Sequence, residues 1–228
     1  MQYYLAGYFL IRQEPVLYFG EQLRTINTAS SCFNEHLLAS WCFYLRSEEE
    51  EAEIEQSLML GPGKIDKIRN WVEHARNAEL LGVHNVFFDL ETLQKYKSKF
   101  FSHLPDLKIV AIYLTKPFLT SLIAAAEPAA QYQMSGIYQL AKRWVPEQKH
   151  DQETLLGFDM IGIEPGGAFH TFYCHGGDGY RIGDFDLRIN QYGLFDDYED
   201  WETVMKYANE YATFEPVPWV VCKVKLIN

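Results

Sequence analysis

The stretch Asp89-Leu-Glu-Thr-Leu-Gln-Lys-Tyr96 returns in altered form as Asp200-Trp-Glu-Thr-Val-Met-Lys-Tyr207, 111 residues later. The same offset extends the match without a gap to the pairs Phe100/Tyr211, Pro105/Pro216 and Val110/Val221. A stretch that recurs at a fixed offset indicates a structural unit that is used more than once. The repeat therefore predicts a helix followed by a strand, present twice in the chain.

Each copy carries signals for the start and the end of its helix. Asp89 and Asp200 are of the residue type that accepts hydrogen bonds from the free amides of a first helical turn. A glutamate two residues later in each copy places negative charge at the positive end of the helix dipole. Pro105 and Pro216 then end any helix, because proline lacks the amide hydrogen. We interpret these acidic residues as helix caps.

The two repeats end in strands of different character, Lys108–Leu114 and Trp219–Leu226. The first is apolar on both faces, which is typical of a central strand. In the second, apolar residues alternate with Lys223 and Lys225, so we expect one of its faces to meet water.

The pattern along the chain predicts an α+β fold, with a mixed or antiparallel sheet and flanking helices. Leu156–Glu164 and Ala168–Cys174 flank the turn Pro165-Gly-Gly167 and predict a β-hairpin. We divide the chain into an N-terminal α+β half, residues 1–148, and a C-terminal half of hairpin, helix and strand, residues 149–228. The polar segment Val145–Gln152 is the candidate linker, and the two halves could also form one compact domain.

Further elements are expected in the N-terminal half. Strands are predicted over Tyr3–Ile11 and Val16–Phe19. Ser47 caps the acidic run that follows it, and this predicts a helix through Leu58. Apolar residues at helical spacing predict further helices, one with Ile65, Ile68, Trp71 and Val72 on one face, and two over Pro117–Ala126 and Met134–Trp144.

Composition restricts the class of function. The 228 residues are 48% hydrophobic and 15% aromatic, and their formal net charge is −11. Such a charge disfavours binding to nucleic acid or to anionic membranes, since both are polyanions. No apolar run approaches the roughly 20 residues that span a bilayer. The N-terminus has no signal-peptide pattern and the four cysteines are scattered, so we expect a cytoplasmic protein with reduced thiols and no zinc site.

One group of residues offers a possible chemistry, around the predicted hairpin: His170, His175, Asp178, Asp184 and Asp186. Histidines with carboxylates can bind a divalent metal or act as acid and base. The spacing matches no metal motif, and the chain has no nucleophile elbow, Walker A or dinucleotide fingerprint. We therefore assign no catalytic residue, metal or cofactor, and keep a metal-dependent hydrolase that uses His170 and His175 as the alternative function.

Parts of the chain resemble uncharacterised bacterial proteins that are similar to the immunity partners of polymorphic toxins. The resemblance lies in Leu156–His175, in Gly193–Asp197 with Pro216–Leu226, and in Val86–Thr92. It covers about half of the chain and carries over no catalytic residue. It implies a cytoplasmic binding protein that neutralises a toxin domain by occluding its active site.

The negative charge adds an expectation about the partner. An acidic, aromatic-rich inhibitor suits a basic toxin such as a nuclease, since complementary charge speeds encounter and aromatic anchors hold the complex. We expect six acidic residues to contact that partner: Asp178, Asp184, Asp186, Asp196, Asp197 and Glu199.

Overall fold

The architecture was obtained as a computed structural model, which describes residues 1–12, 16–18, 21–23, 47–82, 86–126, 136–163, 169–171, 190–198, 201, 204–206, 217 and 219–228. Its helices are α1 Glu48–Ser57, α2 Lys64–Asn77, α3 Leu90–Phe100, α4 Lys116–Ala126 and α5 Gly136–Ala141. Its strands are β1 Tyr3–Arg12, β2 Val16–Tyr18, β3 Glu21–Leu23, β4 Leu107–Thr115, β5 Glu153–Ile163, β6 Phe169–Thr171 and β7 Trp219–Ile227. Residues 201 and 204–206 are also helical.

The main sheet has five strands in the order β1-β4-β7-β5-β6, and every neighbouring pair is antiparallel. Helices α3 and α5 contact β1, and α4 contacts β4. The α+β class is confirmed, and the sheet is antiparallel. Strands β2 and β3 form a separate two-stranded sheet.

Strand β4 is central, as its sequence predicts. It lies between β1 and β7 and is buried along nearly its whole length. An apolar strand can occupy this position because both of its faces are covered and both of its edges are hydrogen-bonded.

The helix starts also follow the sequence. Ser47 forms a capping box with Glu50 at the start of α1, and the Asp89 carboxylate accepts from the Thr92 amide at 2.7 Å at the start of α3. Each bond satisfies an amide that has no partner inside the helix. The predicted helix over Met134–Trp144 is shorter in the described part: α5 ends at Ala141 and a turn follows over residues 142–144.

An aromatic cluster joins α2, α3 and the short segment before α3. The Trp71 ring lies 4.8 Å from Tyr96 and 6.3 Å from Phe87, measured between ring centroids. Tyr96 also packs at 5.4 Å against Phe100 and Phe101. Such offset and edge-on pairs bury large apolar area, so this cluster fixes the two helices to each other.

The predicted duplication extends further than the helix and strand. Strands β1 and β5 are equivalent at an offset of 150 residues, and both contain Leu-x-Gly at the same place, Leu5 to Gly7 and Leu155 to Gly157. Both strands shift register at that point, against β4 and β7 respectively. The residue after each glycine forms an isolated bridge, Tyr8 with Phe87 and Phe158 with Phe195.

The two halves are related by an approximate two-fold axis through the sheet. Gly7 pairs with Ile112 and Gly157 pairs with Val224, so the strands β4 and β7 correspond at an offset of 112 residues, from 112 to 224. Ile112 and Val224 also pair directly with each other, which places them on the axis. The gap-free offset of 111 is therefore wrong for the strands, since the second half has one extra residue between its helix and β7.

The predicted hairpin is confirmed, because β5 pairs with β6 through Ile161–Thr171 and Ile163–Phe169. The predicted second strand also forms over Val16–Tyr18, paired with β3. The turn at 164–168 and the helix cap at Asp200 lie outside the described residues.

Candidate functional site

Two of the six acidic residues expected to contact a partner have a described position. Asp196 and Asp197 follow the buried Phe195 and are exposed. Asp178, Asp184, Asp186 and Glu199 lie outside the described residues, and so does His175. The His170 backbone pairs with Gly162 in the hairpin, but its side chain is also outside the description. The six contacts remain predictions.

Asn190 fixes the turn that presents Asp196 and Asp197. Its side-chain oxygen accepts from the amides of Tyr192 at 2.9 Å and Leu194 at 3.2 Å. Its side-chain nitrogen donates at 2.8 Å to the Leu156 carbonyl and at 2.8 Å to the Asp196 carboxylate. The exposed Asp196 carboxylate therefore also stabilises the turn through its bond with Asn190. The bond from Asn190 to the Leu156 carbonyl attaches the turn to β5.

Helix α1 presents a second acidic surface. Six of its ten residues are glutamates, and only Ile54 is buried within the helix. Glu48, Glu49 and Glu53 are exposed, whereas Glu51 pairs with Arg69 at 3.1 Å and Glu55 accepts from the Gly63 amide at 3.1 Å. The outer face of α1, defined by Glu48, Glu49 and Glu53, therefore gathers three exposed negative charges on one helix.

The sheet face that carries Lys223 and Lys225 is covered, contrary to the prediction that it meets water. The two lysine side chains are only 11% and 13% exposed. Lys223 contacts both oxygens of Glu147 at 2.6 Å, and Lys225 bridges Glu147 at 2.7 Å and Glu153 at 2.6 Å. We call Glu147, Glu153, Lys223 and Lys225 the ion cluster.

The covering chain is the segment predicted to be a linker. Its residues 145–147 follow the edge of β1, with Glu147 donating to the Tyr3 carbonyl at 2.9 Å and Leu5 donating to the Val145 carbonyl at 2.8 Å. The Glu147 carboxylate nevertheless reaches β7, two strands away. The segment therefore crosses the sheet face on its way to β5, and the ion cluster holds it there.

The protonation states of the ion cluster favour a structural role. Burial raises the pKa of the Glu147 carboxyl, but the hydrogen bonds and charges of Lys223 and Lys225 outweigh burial and leave that pKa lowered. Burial lowers the pKa of the Lys225 ammonium, but the hydrogen bonds and charges of Glu147 and Glu153 raise it by more, so that the pKa is raised overall. Both groups are therefore charged at neutral pH. A general base or an amine nucleophile needs a pKa near the working pH, so this cluster is suited to holding chain segments together.

The buried thiol of Cys222 is also unsuited to nucleophilic chemistry. Cys222 stands opposite Asp159 on the neighbouring strand β5, and burial, with the nearby Asp159 carboxyl, raises the pKa of the thiol well above the ordinary value. The thiol is therefore protonated at neutral pH, whereas reactive cysteines require the thiolate. Among the residues that the structure describes, no three His, Cys, Asp or Glu side chains gather in a way that could hold a metal ion.

A basic cavity of about 360 Å³ lies between the end of α2 and the end of α5. The Arg143 guanidinium stands 4.4 Å over the Phe88 ring and 3.6 Å from the Glu79 carboxylate. The acidic Glu79 thus already balances part of the positive charge of this cavity. The remaining lining residues are Arg76, Leu81, Gln139 and Lys142.

No helix in the described portion has the length and apolar character needed to cross a membrane. Comparison of the whole chain with protein-family models, curated proteins and solved structures finds no match.

Proposed function

We propose that the protein is the immunity partner of a toxin, a binding protein that neutralises a basic toxin domain by occluding its active site. The observation that carries the proposal is the acidic outer face of α1 in a chain of net charge −11. Charge clustered on one helix steers an oppositely charged partner and raises the rate of encounter. The resemblance of about half of the chain, mostly in its C-terminal part, to uncharacterised bacterial proteins that are similar to immunity partners suggests the class of partner.

The turn after Phe195 provides the second acidic surface of the proposal. Asp196 and Asp197 are exposed on a turn that Asn190 attaches to β5. A rigid support reduces the conformational entropy lost on binding. In this proposal Asp178, Asp184, Asp186 and Glu199 extend the same surface, so that the toxin contacts two acidic regions.

The direct test is affinity purification from the source bacterium with identification of bound proteins by mass spectrometry. We expect a basic toxin domain to be recovered, and co-expression with this chain to protect cells from it. Failure to recover such a partner, together with failure to protect, would contradict the proposal. Stoichiometric zinc or manganese in the purified protein, lost on His170→Ala, would instead support the metal-dependent hydrolase.

The role of α1 is tested with a charge-matched pair of variants. Glu49→Gln combined with Glu53→Gln removes two charges from the outer face of α1. The control, Glu73→Gln with Asp151→Asn, removes two charges from exposed positions elsewhere. We expect the α1 variant to slow association with the toxin about tenfold at low salt and the control to slow it much less. Equal slowing would show that only net charge matters, and Asp184→Asn with Asp186→Asn then tests the predicted loop.

A further inference from the structure

Two lysines of the N-terminal half lie close enough for their like charges to interact. Lys97 belongs to the last turn of α3, and Lys108 is the second residue of β4. Burial lowers the pKa of the Lys97 ammonium, and the like charge of Lys108 lowers it further. Within the part of the chain that the structure describes, neither ammonium has an ion pair or a hydrogen bond. By contrast, Lys95 of the same helix pairs with Glu91 at 2.6 Å.

Both lysines line a cavity of about 540 Å³ that we call the lysine pocket. Neutral hydrogen-bonding side chains stand around it, namely Gln94, Ser98, Ser102 and Asn228. The buried residues Ile109 and Ile227 complete the described lining. Among the described residues no Asp or Glu side chain contributes to this lining, and the charged side chains in it are those of Lys97 and Lys108. It is a half-open groove of the surface, and Gln94, Ser98 and Ser102 of its lining are exposed.

The fold does not require cations at these positions. The second half has Ala208 where the first has Lys97, at the helix offset of 111 residues, and Val220 where the first has Lys108, at the strand offset of 112. Lys97 stands near the negative end of the helix dipole, which favours a cation. The helix dipole does not account for Lys108, which lies on strand β4. The position of Lys108 brings a second positive charge close to Lys97.

We propose that the lysine pocket binds a small phosphorylated ligand, with Lys97 and Lys108 contacting its phosphoryl oxygens and the serine hydroxyls donating to them. A phosphate group carries up to two negative charges and several acceptor oxygens, so one group can neutralise both lysines and use the neutral donors. A monocarboxylate neutralises only one lysine. The site is separate from the acidic surfaces proposed to contact a toxin, and it does not depend on that function.

The probes are inorganic pyrophosphate, a nucleoside triphosphate and acetate, titrated into the full chain and followed by calorimetry and backbone amide NMR. We expect one equivalent of pyrophosphate to bind with a Kd below about 1 mM and to shift the amide resonances around Ser98 and Ser102. Acetate should bind much more weakly. Tighter binding of the nucleotide than of pyrophosphate would assign the ligand as a nucleotide, and equal binding would assign a phosphate group alone.

Variants make the proposal falsifiable. Lys97→Gln and Lys108→Gln should each weaken pyrophosphate binding about tenfold, since each removes a charge-assisted hydrogen bond. Lys67→Gln, an exposed lysine of α2, is the matched control and should leave the Kd unchanged. Retained far-ultraviolet dichroism would confirm that the variants fold. The absence of one-to-one binding, or equal weakening by Lys67→Gln, would overturn the proposal, because equal weakening indicates general charge screening.

Discussion

Gly7 and Gly157 occupy the same place in two equivalent β-bulges, yet they tolerate a side chain differently. Gly157 has φ +141°, and a Cβ there would lie 2.5 Å from the Phe195 carbonyl oxygen. A Cβ at Gly7 would meet the Val86 side chain at 2.6 Å, and that methyl group can shift more easily than backbone can. The bulge of the C-terminal half therefore depends on glycine for both conformation and space.

We predict that Gly157→Ala lowers the free energy of unfolding by about 2–4 kcal/mol, because it combines backbone strain with overpacking. Gly7→Ala is the matched change in the other half, and we expect it to cost about 1–2 kcal/mol. Denaturant unfolding of both variants measures the difference. An equal cost at the two positions would contradict the role given to the Phe195 carbonyl.

Glu147 gives the fold a dependence on pH. Its pKa is lowered in the folded state from an ordinary value of 4.5. A carboxylate with a lowered folded pKa stabilises the fold above its unfolded pKa, and this contribution is lost as the pH falls through the folded pKa. Lys225 acts at the other end of the scale, since its raised pKa stabilises the fold below 10.5 and the contribution is lost as the pH rises further. Both contributions are present at pH 7.

We predict that Glu147→Gln lowers the free energy of unfolding by about 2 kcal/mol at pH 7, because it leaves two largely buried lysines short of a counter-charge. The difference from the unaltered protein should shrink as the pH falls below 4.5, where the native carboxylate is itself being protonated. Glu91→Gln, in an exposed pair with Lys95, is the control and should change little at any pH. Urea unfolding across pH 3–7 measures both. A difference that stays constant over this range would show that Glu147 acts through packing instead of charge.

The ion cluster also shows where residue patterns stop being informative. The alternation of Lys223 and Lys225 with apolar residues is typical of a strand with one solvent-exposed face. The prediction that this face meets water was wrong. The carboxylates that pair with these lysines, Glu147 and Glu153, lie more than 70 residues away in sequence, at separations of 76 and 72 for the bonded pairs. No local spacing encodes such a contact, because the path of a connecting segment depends on the whole topology.

At the scale of elements, helix starts were the most predictable features. Asp89 and Ser47 cap α3 and α1 because a short polar side chain satisfies amides only a few residues away. The duplicated strand β1/β5 escaped detection, since its copies share a bulge and a hydrogen-bonding pattern but few side chains. The acidic turn at Asp196 and Asp197 was predictable as charge, but its support by Asn190 was not, because the Asn190 side chain bonds both within the turn and to the distant Leu156 carbonyl of β5.

Helix α1 should open before the rest of the fold. Ile54 is its only buried residue, with Leu58 buried just beyond its end, so tertiary packing contributes little to it. Its start depends on the bond from the Glu50 amide to the Ser47 hydroxyl at 3.1 Å and on the return bond from the Ser47 amide to the Glu50 carboxylate at 3.0 Å. The stability of this helix is therefore local.

We predict that Ser47→Ala destabilises α1 by about 1 kcal/mol, the usual cost of removing such a cap. Amide hydrogen exchange should increase about fivefold over residues 48–57, while β4 and β7 keep their rates, because opening of α1 is separate from global unfolding. Ser57→Ala removes a hydroxyl at the other end of the same helix and serves as the control. Faster exchange throughout the sheet would contradict the independence of α1.

At the scale of the molecule, the sheet is built from two related halves that meet along one seam. Strands β1 and β4 belong to the N-terminal half, and β7, β5 and β6 belong to the C-terminal half. The halves join through six residue pairs between β4 and β7, from Ile109–Ile227 to Leu114–Cys222. The repeat predicts two such halves, but only the pairing of β4 with β7 shows that they share a sheet. Within its own half, β4 or β7 has one edge without a hydrogen-bonding partner, and only the other half supplies that partner.

We predict that residues 1–148 and residues 149–228, produced as separate chains, are unstable alone and associate one-to-one when refolded together. Each isolated half exposes an apolar edge strand, β4 or β7, which favours aggregation. The mixture restores the seam and also the ion cluster, since Glu147 lies in one fragment and Lys223 and Lys225 lie in the other. Dichroism and sedimentation of the fragments and of the mixture test this expectation.

The ion cluster gives this experiment an internal control. Glu147→Gln in the first fragment removes the charged contact across the cut and leaves the β4–β7 seam intact. Association should then weaken about thirtyfold, the factor that corresponds to the loss of about 2 kcal/mol expected for the same substitution in the intact chain, and the weakening should fade at acid pH. A first fragment that folds cooperatively alone, with native dichroism and no dependence on the second, would show that the halves are independent domains and that the seam is a contact between finished structures.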